Sequence, residues 1–152
     1  EVNRMSETLS LQSIYDKVIQ NLSVDIRKAG AEIIHDFSEA PEVTSPKSYI
    51  ESILQNLISN AIKYRDPSRK PVVRVRSHKQ QGRTCIVVAD NGLGIDMEKH
   101  GSDLFGLYKT FHNNRNSKGV GLYITRAQVV SLGGRIEVSS TPGQGSTFTV
   151  CL

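Results

Sequence analysis

The sequence predicts an α+β fold, one mostly antiparallel sheet of about five strands with three helices on one face. Three observations carry that expectation: stripes of apolar residues at helical spacing, short strand-like runs, and tight glycine turns that join those runs in pairs. A chain of 152 residues falls within the usual size of a single domain. At that length it buries roughly two thirds of the surface its unfolded form exposes, so a single core is expected.

Each element has its own signal. The first ten residues, EVNRMSETLS, are polar and weakly patterned, as a frayed end or the last turns of an upstream element would be. From Leu11 to Ala29 the apolar positions Leu11, Ile14, Tyr15, Val18, Ile19, Leu22 and Ile26 keep the spacing of an amphipathic helix, and Gly30 stands where a C-terminal cap belongs. AEIIHDF reads as a short strand and SEAPEVTSP as a loop with two prolines. Ser45 and Pro46 then read as the cap and first position of a second helix, running to about Tyr64 with Ile50, Ile53, Leu54, Leu57, Ile58, Ala61 and Ile62 on one stripe. RDPSRKP ends it. PVVRVRSHK alternates like a half-buried strand, and the more apolar RTCIVVAD reads as a central strand hairpinned to it. Asn91 to Lys118 is long, glycine-studded and polar with one apolar-aromatic island, LFGLYKTF, as a functional lid or a disordered segment would be. A third helix over about Val120 to Leu132 precedes Gly133 and Gly134, and RIEVSS and STFTVCL close the chain as a second hairpin around TPGQG.

Composition narrows the function classes. With 38% apolar and 22% charged residues the chain is neither disordered, collagenous nor a disulfide scaffold. A net charge of +4, without Lys/Arg runs or clustered aromatics, argues against nucleic acid as the main ligand. Cys85 and Cys151 sit in apolar strand-like runs rather than at metal spacing, and read as reduced, buried thiols of a cytoplasmic protein. No run of roughly 18 apolar residues and no signal-peptide pattern is present. A start at EVNRM, without an initiator methionine, points to a longer parent.

The chemistry-bearing residues fall in four places. On the second helix Asn56, Asn60 and Lys63, at i, i+4 and i+7, share one polar row away from the apolar stripe. Such a row fits a solvated face, or a ligand site in which a carboxamide oxygen meets a hard cation and lysine meets phosphate. VVADNGLGID ends a strand in Asp90 and follows it with Gly92 and Gly94, which suits either a tight turn or a carboxylate that accepts from an exocyclic amine of adenine. Gly119, Val120 and Gly121 open the third helix, where free backbone amides favour phosphate. Gly143, Gln144 and Gly145 fit an ordinary hairpin turn nearly as well as a ligand loop.

Taken in order, N-x-x-x-N-A-x-K-Y, D-x-G-x-G, the long connection, G-x-G-L and G-x-G-S-T-F resemble the catalytic, ATP-binding domain of bacterial sensor histidine kinases. That domain belongs to a superfamily with DNA gyrase, mismatch-repair ATPases and heat-shock chaperones. The resemblance spans about Leu11 to Leu152, leaving residues 1–10 as a remnant of an upstream dimerisation and phosphoacceptor helix or linker. It implies a two-layer α/β sandwich of the Bergerat type, with ATP held between helices and a long lid and Mg2+ bridging the phosphates. By similarity Asn60 would be the Mg2+ ligand, Asn56 and Lys63 would act near the phosphates, and Tyr64 would lie against the nucleotide. Asp90 would bind the adenine amine in a pocket shaped by Gly92 and Gly94. Gly119, Val120, Gly121 and Leu122 would carry the far hinge of the lid, and Thr147 would lie behind the adenine. Tyr108 and Phe111 would match the aromatic box of the lid.

Asn56 bears on the reaction. The hydrolases of the superfamily usually carry glutamate there as a general base on water, whereas an amide cannot take up a proton at neutral pH. A neutral histidine imidazole needs no such base, so the resemblance implies transfer of the γ-phosphoryl group to histidine. None of His35, His78, His100 and His112 lies in a helical H-E/D-x-x-x-P setting, so all four read as surface residues and the acceptor is expected upstream of Glu1 in the same polypeptide. Two departures stand out, Tyr123 where a glycine is common and Thr110 where an arginine is common, with Lys109, Arg115 and Lys118 as other cations for the γ-phosphate. The parent would be a homodimer, this piece a monomer, and a response regulator would follow in the pathway. The alternatives are a protein-serine kinase of the anti-sigma type and a non-catalytic nucleotide-sensing module.

Overall fold

A computed structural model describes residues 6–105 and 121–152 of the chain, and the architecture below is that of these residues. A five-stranded sheet carries the site. Its strands are β2 (Glu32–Asp36), β4 (Val72–Gln80), β5 (Arg83–Asp90), β6 (Arg135–Thr141) and β7 (Gly145–Cys151), in the order β2-β4-β5-β7-β6. Only β2 and β4 run parallel; the other three neighbouring pairs are antiparallel. The expected mostly antiparallel α+β sheet is therefore the one observed.

Helix α3 (Lys47–Lys63) lies over the middle of this sheet. Ile50, Ile53, Leu54, Leu57, Ile58, Ala61 and Ile62, its whole apolar stripe, are each no more than 5% exposed. They meet Val73 and Val75 of β4, Ile86 and Val88 of β5 and Phe148 and Val150 of β7, the residues that pleat alternation turns to one face. The β4–β5 hairpin turns at Gln81 and Gly82, both at positive φ (52° and 78°), as a two-residue type I′ turn requires. Gly30, at φ 63°, ends a helix as expected.

Four expectations are corrected. The helix expected over Leu11 to Ala29 is two, α1 (Leu11–Asn21) and α2 (Ser23–Ala29), which part at the buried Leu22 (φ −96°, ψ 7°), flanked by asparagine and serine, both middling helix formers. Glu7–Ser10, expected as part of a frayed end or of the last turns of an upstream element, is strand β1, paired antiparallel with β3 (Glu42–Ser45) inside the segment expected as a loop. Leu9 stands opposite Val43, both buried, so this small sheet closes one end of the core. Ser45 is the last residue of β3 rather than a helix cap: its Oγ donates to the Pro46 carbonyl at 3.0 Å, and Pro46 itself precedes the first turn of α3.

The fourth correction concerns sulfur. Cys85 and Cys151, expected as reduced thiols, form a disulfide. They stand directly opposite each other on β5 and β7 with Cα atoms 4.0 Å apart, in an antiparallel pair of the closely spaced kind. A separation of 66 residues hid that pairing from sequence spacing.

A candidate nucleotide site at the end of the central strands

Helix α3 brings Asn56 and Asn60 to one half-buried row, while Lys63 is its exposed last residue and Tyr64 its C-cap. The ligand-facing alternative for this row gains weight from what covers it. Helix α5 (Gly121–Ser131) begins directly above, and the Asn56 amide Nδ2 donates to the Gly121 carbonyl and to Thr125 Oγ1, both at 3.4 Å. Thr125, fully buried, donates in turn to the same carbonyl at 2.8 Å. Because the amide nitrogen is spent on α5, Asn56 keeps its Oδ1 for other donors. A Cβ on Gly121 would stand 3.7 Å from Asn60 Nδ2 and 3.8 Å from Asn56 Oδ1, so the helix start closes on both carboxamides. Leu122 packs against the core, and Tyr123, whose place often holds glycine, points outward at 45% exposure.

The second wall is the turn after β5. Asp90 Oδ1 accepts from the Gly92 amide at 2.8 Å and the Ser146 amide at 3.3 Å. Both bonds fall on one oxygen, so among the described residues Oδ2 retains its acceptor capacity. Burial pushes the carboxyl of Asp90 above the ordinary aspartate range, and the two amides pull back against that rise. The glycines are needed for close approach: a Cβ on Gly92 would stand 2.6 Å from the Tyr64 carbonyl, and Gly94, at φ 76°, would drive one into the Thr141 carbonyl. The Leu93 amide donates to Tyr64 O at 2.9 Å, which joins this turn to the end of α3. The two walls thus meet at Tyr64.

Thr147, expected behind the adenine, lies on the other face of the sheet. Phe148 and Val150 point to the helices, so pleat alternation turns Thr147 away, opposite Ala89, and turns Ser146 inward. Ser146 is 8% exposed, and its Oγ shares a 2.7 Å hydrogen bond with Ser140 Oγ, which also accepts from the Ile95 amide. Sequence reasoning missed Ser146, although the period of two in STFTV carried the signal. It also missed Arg69, Asn91 and Thr125. Asn91 replaces a rung of the ladder, its Oδ1 accepting from Val72 N at 2.9 Å and its Nδ2 donating to Lys70 O at 3.0 Å. The Asn-Gly pair therefore ends a strand here rather than turning a hairpin.

Gly119, Val120, Tyr108, Phe111, Lys109, Thr110, Arg115, Lys118 and His112 lie outside the described residues. Of the other histidines, His35 stacks on Tyr15 with centroids 4.4 Å apart, His78 lies in β4, and His100 ends the short helix α4 (Met97–His100). No group of three or more His, Cys, Asp or Glu residues able to hold a metal occurs among the described residues. A neutral carboxamide donor set suits a magnesium ion held mainly by phosphate and water oxygens, and Asn60 has no side-chain hydrogen bond among the described residues.

With this geometry in hand, the comparisons with known proteins agree. Residues 47–152 match the family of histidine kinase-, DNA gyrase B- and HSP90-like ATPases. The phytochrome-like protein Cph1 of Synechocystis sp. is 31% identical over 140 residues, 91% of this chain and 18% of that protein. The circadian input-output histidine kinase CikA of Synechococcus elongatus is 36% identical over 105 residues, 66% of this chain and 14% of its own length. Among solved structures, the nucleotide-free catalytic domain of histidine kinase ThkA superposes with a TM-score of 0.81 at 20% identity, over 97% of this chain and 96% of that one. ShkA, solved at full length in complex with AMPPNP, gives a TM-score of 0.81 at 22% identity, over 96% of this chain and 30% of its own. The structural likenesses establish the fold, and the chain spans less than a fifth of the length of these two curated relatives.

Proposed function

Because this chain belongs to the histidine kinase-, DNA gyrase B- and HSP90-like ATPase family, as the ATP-binding catalytic domain of a histidine kinase, we propose that it passes the γ-phosphoryl group of ATP to a histidine in an upstream domain of its parent. The observation that carries this reading is the junction at Tyr64, where the row of Asn56, Asn60 and Lys63 meets the Asp90 turn. One wall offers groups for phosphate and the other a buried carboxylate for a base amine. The complex of ShkA with AMPPNP lends support.

In this reading Asp90 Oδ2 accepts from the adenine amine while Gly92 and Gly94 let the base approach the backbone. Thr147 has no part in it; Ser146 stands beside the carboxylate instead. Tyr64 lies against the nucleotide, and Gly121 and Leu122 cover the phosphates from the start of α5. Lys63 meets phosphate charge. Asn60 would hold Mg2+, which supplies neutralisation of charge on the transferred group. The Asn56 carboxamide, tied to α5, orients the phosphates and takes no proton. The acceptor imidazole uses its own lone pair on phosphorus as the bond to ADP breaks. Cytoplasmic ATP is the donor, and among the described residues no helix is long and apolar enough to cross a membrane. A dimeric parent and a downstream response regulator belong to the same proposal.

Incubation of this chain with γ-labelled ATP and Mg2+, alone and with a separately expressed upstream helical domain, tests the division of labour. The expected outcome is binding without self-labelling, and acid-labile label on the added domain. Stable label on the isolated chain, or an acid-stable product, would overturn it.

A further inference from the structure

Arg69 lies in the RDPSRKP segment after α3, which sequence alone marks only as a terminator. Its guanidinium reaches three backbone carbonyls in two separate loops. Nε donates to Asn91 O at 2.6 Å, and Nη2 donates to Gly92 O at 2.9 Å and to Gly143 O at 2.8 Å. Nη1 faces Asp66 Oδ2 at 3.4 Å. Asp66 is itself fixed, its Oδ1 accepting from the Ser68 amide at 2.9 Å and the Ser68 hydroxyl at 2.7 Å.

The carbonyls gathered this way are those of the Asp90 turn and of the β6–β7 turn. The Gly143 amide returns a bond to Leu93 O at 2.7 Å, and Gly94 packs against Thr141. A single planar fork therefore joins the exit of α3 to both loops that flank the carboxylate. Lysine, a point charge on a flexible stem, cannot meet this arrangement.

We propose that Arg69 is a positioning residue for base recognition, holding the Asn91–Gly92 backbone against the Gly143 turn so that Asp90 presents its free oxygen at a fixed angle. Arg69 does not touch the nucleotide; it acts through Asp90. The inference rests on the reading of Asp90 as the acceptor for the adenine amine. Guanine carries an oxygen where adenine carries that amine, so a rigid carboxylate rejects GTP and a loosened one discriminates less.

The test measures Kd for ATP and for GTP, each with Mg2+, on the wild-type chain, R69A, R69K and D90N, with thermal melts alongside. R69A is expected to weaken ATP binding roughly 10- to 100-fold, the scale of a misplaced binding group, and to narrow the preference for ATP over GTP. R69K is expected to recover little of either. Equal weakening of ATP and GTP in R69A would mark Arg69 as merely structural and overturn the proposal. If R69A does not fold, R69K is judged by the same ratio, and a wild-type ratio there overturns it as well. A wild-type chain without preference for ATP, or D90N with unchanged ATP affinity, would instead refute the reading of Asp90, and this proposal with it.

Discussion

Replacing Asp90 with asparagine separates what the site costs the fold from what it contributes to binding. Asparagine is nearly isosteric, and its Oδ1 can keep the two bonds from the Gly92 and Ser146 amides. Its second atom, however, becomes a donor where the carboxylate offered an acceptor, so that donor then faces donor at the adenine amine. A hydrogen bond to a charged group is worth about 1.5–3 kcal/mol, so the Kd for ATP should rise roughly 10- to 150-fold. Stability should move the other way. Burial raises the carboxyl of Asp90 above its unfolded value despite the two amides, so the ionised form costs stability at neutral pH. The contribution of a group shifted in this direction is fully present below the unfolded pKa and is lost as pH rises through the folded one. The free D90N chain should therefore melt at or above the wild-type temperature at pH 7, and the difference should close as pH falls through the raised pKa of Asp90. Isothermal titration with Mg-ATP and paired melts between about pH 3 and pH 8, a window that opens below the ordinary aspartate value of about 3.9, make both measurements. Unchanged ATP affinity would refute the acceptor role, and a lower melting temperature for free D90N would refute the argument that burial outweighs the two amides.

Three further outcomes are expected. Asn60→Ala should weaken Mg-ATP binding by roughly tenfold or more, while ATP measured in excess EDTA should bind wild type and variant alike, because a carboxamide oxygen matters to the ion and not to the bare phosphates. Gly94→Ala should lower the melting temperature measurably in the absence of nucleotide, since a side chain at φ 76° would be driven into the Thr141 carbonyl; an unchanged melt would show that the turn yields. Opening the Cys85–Cys151 bridge with a thiol reductant should cost up to about 4 kcal/mol for a loop of 66 residues. That corresponds to a fall of roughly 10 °C in Tm, while Cys85→Ala should show no further fall on reduction.

What was legible in the sequence follows the range of the interaction that makes each feature. The stripe of α3 was read residue for residue because helical period is local, and the β4–β5 hairpin because its two strand runs are neighbours in the chain. The polar row and the Asp90 turn were legible as candidates, though nothing local could say that they meet at Tyr64. Strands β1 and β3, four residues each, are shorter than any dependable alternation, and they exist because Leu9 and Val43 cover one another across a separation of 34 positions in the chain. Arg69 was invisible for a similar reason: its three acceptors are backbone carbonyls, which carry no side-chain signature. Thr147 stands on the sheet face opposite Asp90 while its neighbour Ser146 shares that residue's face, and in a strand one residue is the difference between two faces.

The order of the strands carries a consequence for synthesis. β7, the last strand along the chain, inserts between β5 and β6 rather than adding to an edge. A nascent chain grown only as far as β6 has Asp90 in place but lacks the Ser146 amide and leaves the row of Ile86 and Val88 on an unpaired, sticky rim. The second amide on Asp90 and the partner that covers the edge of β5 therefore arrive together, with the same seven residues. Until these leave the ribosome, the domain can neither complete the pair of amides on Asp90 nor pair the open edge of its most apolar strand.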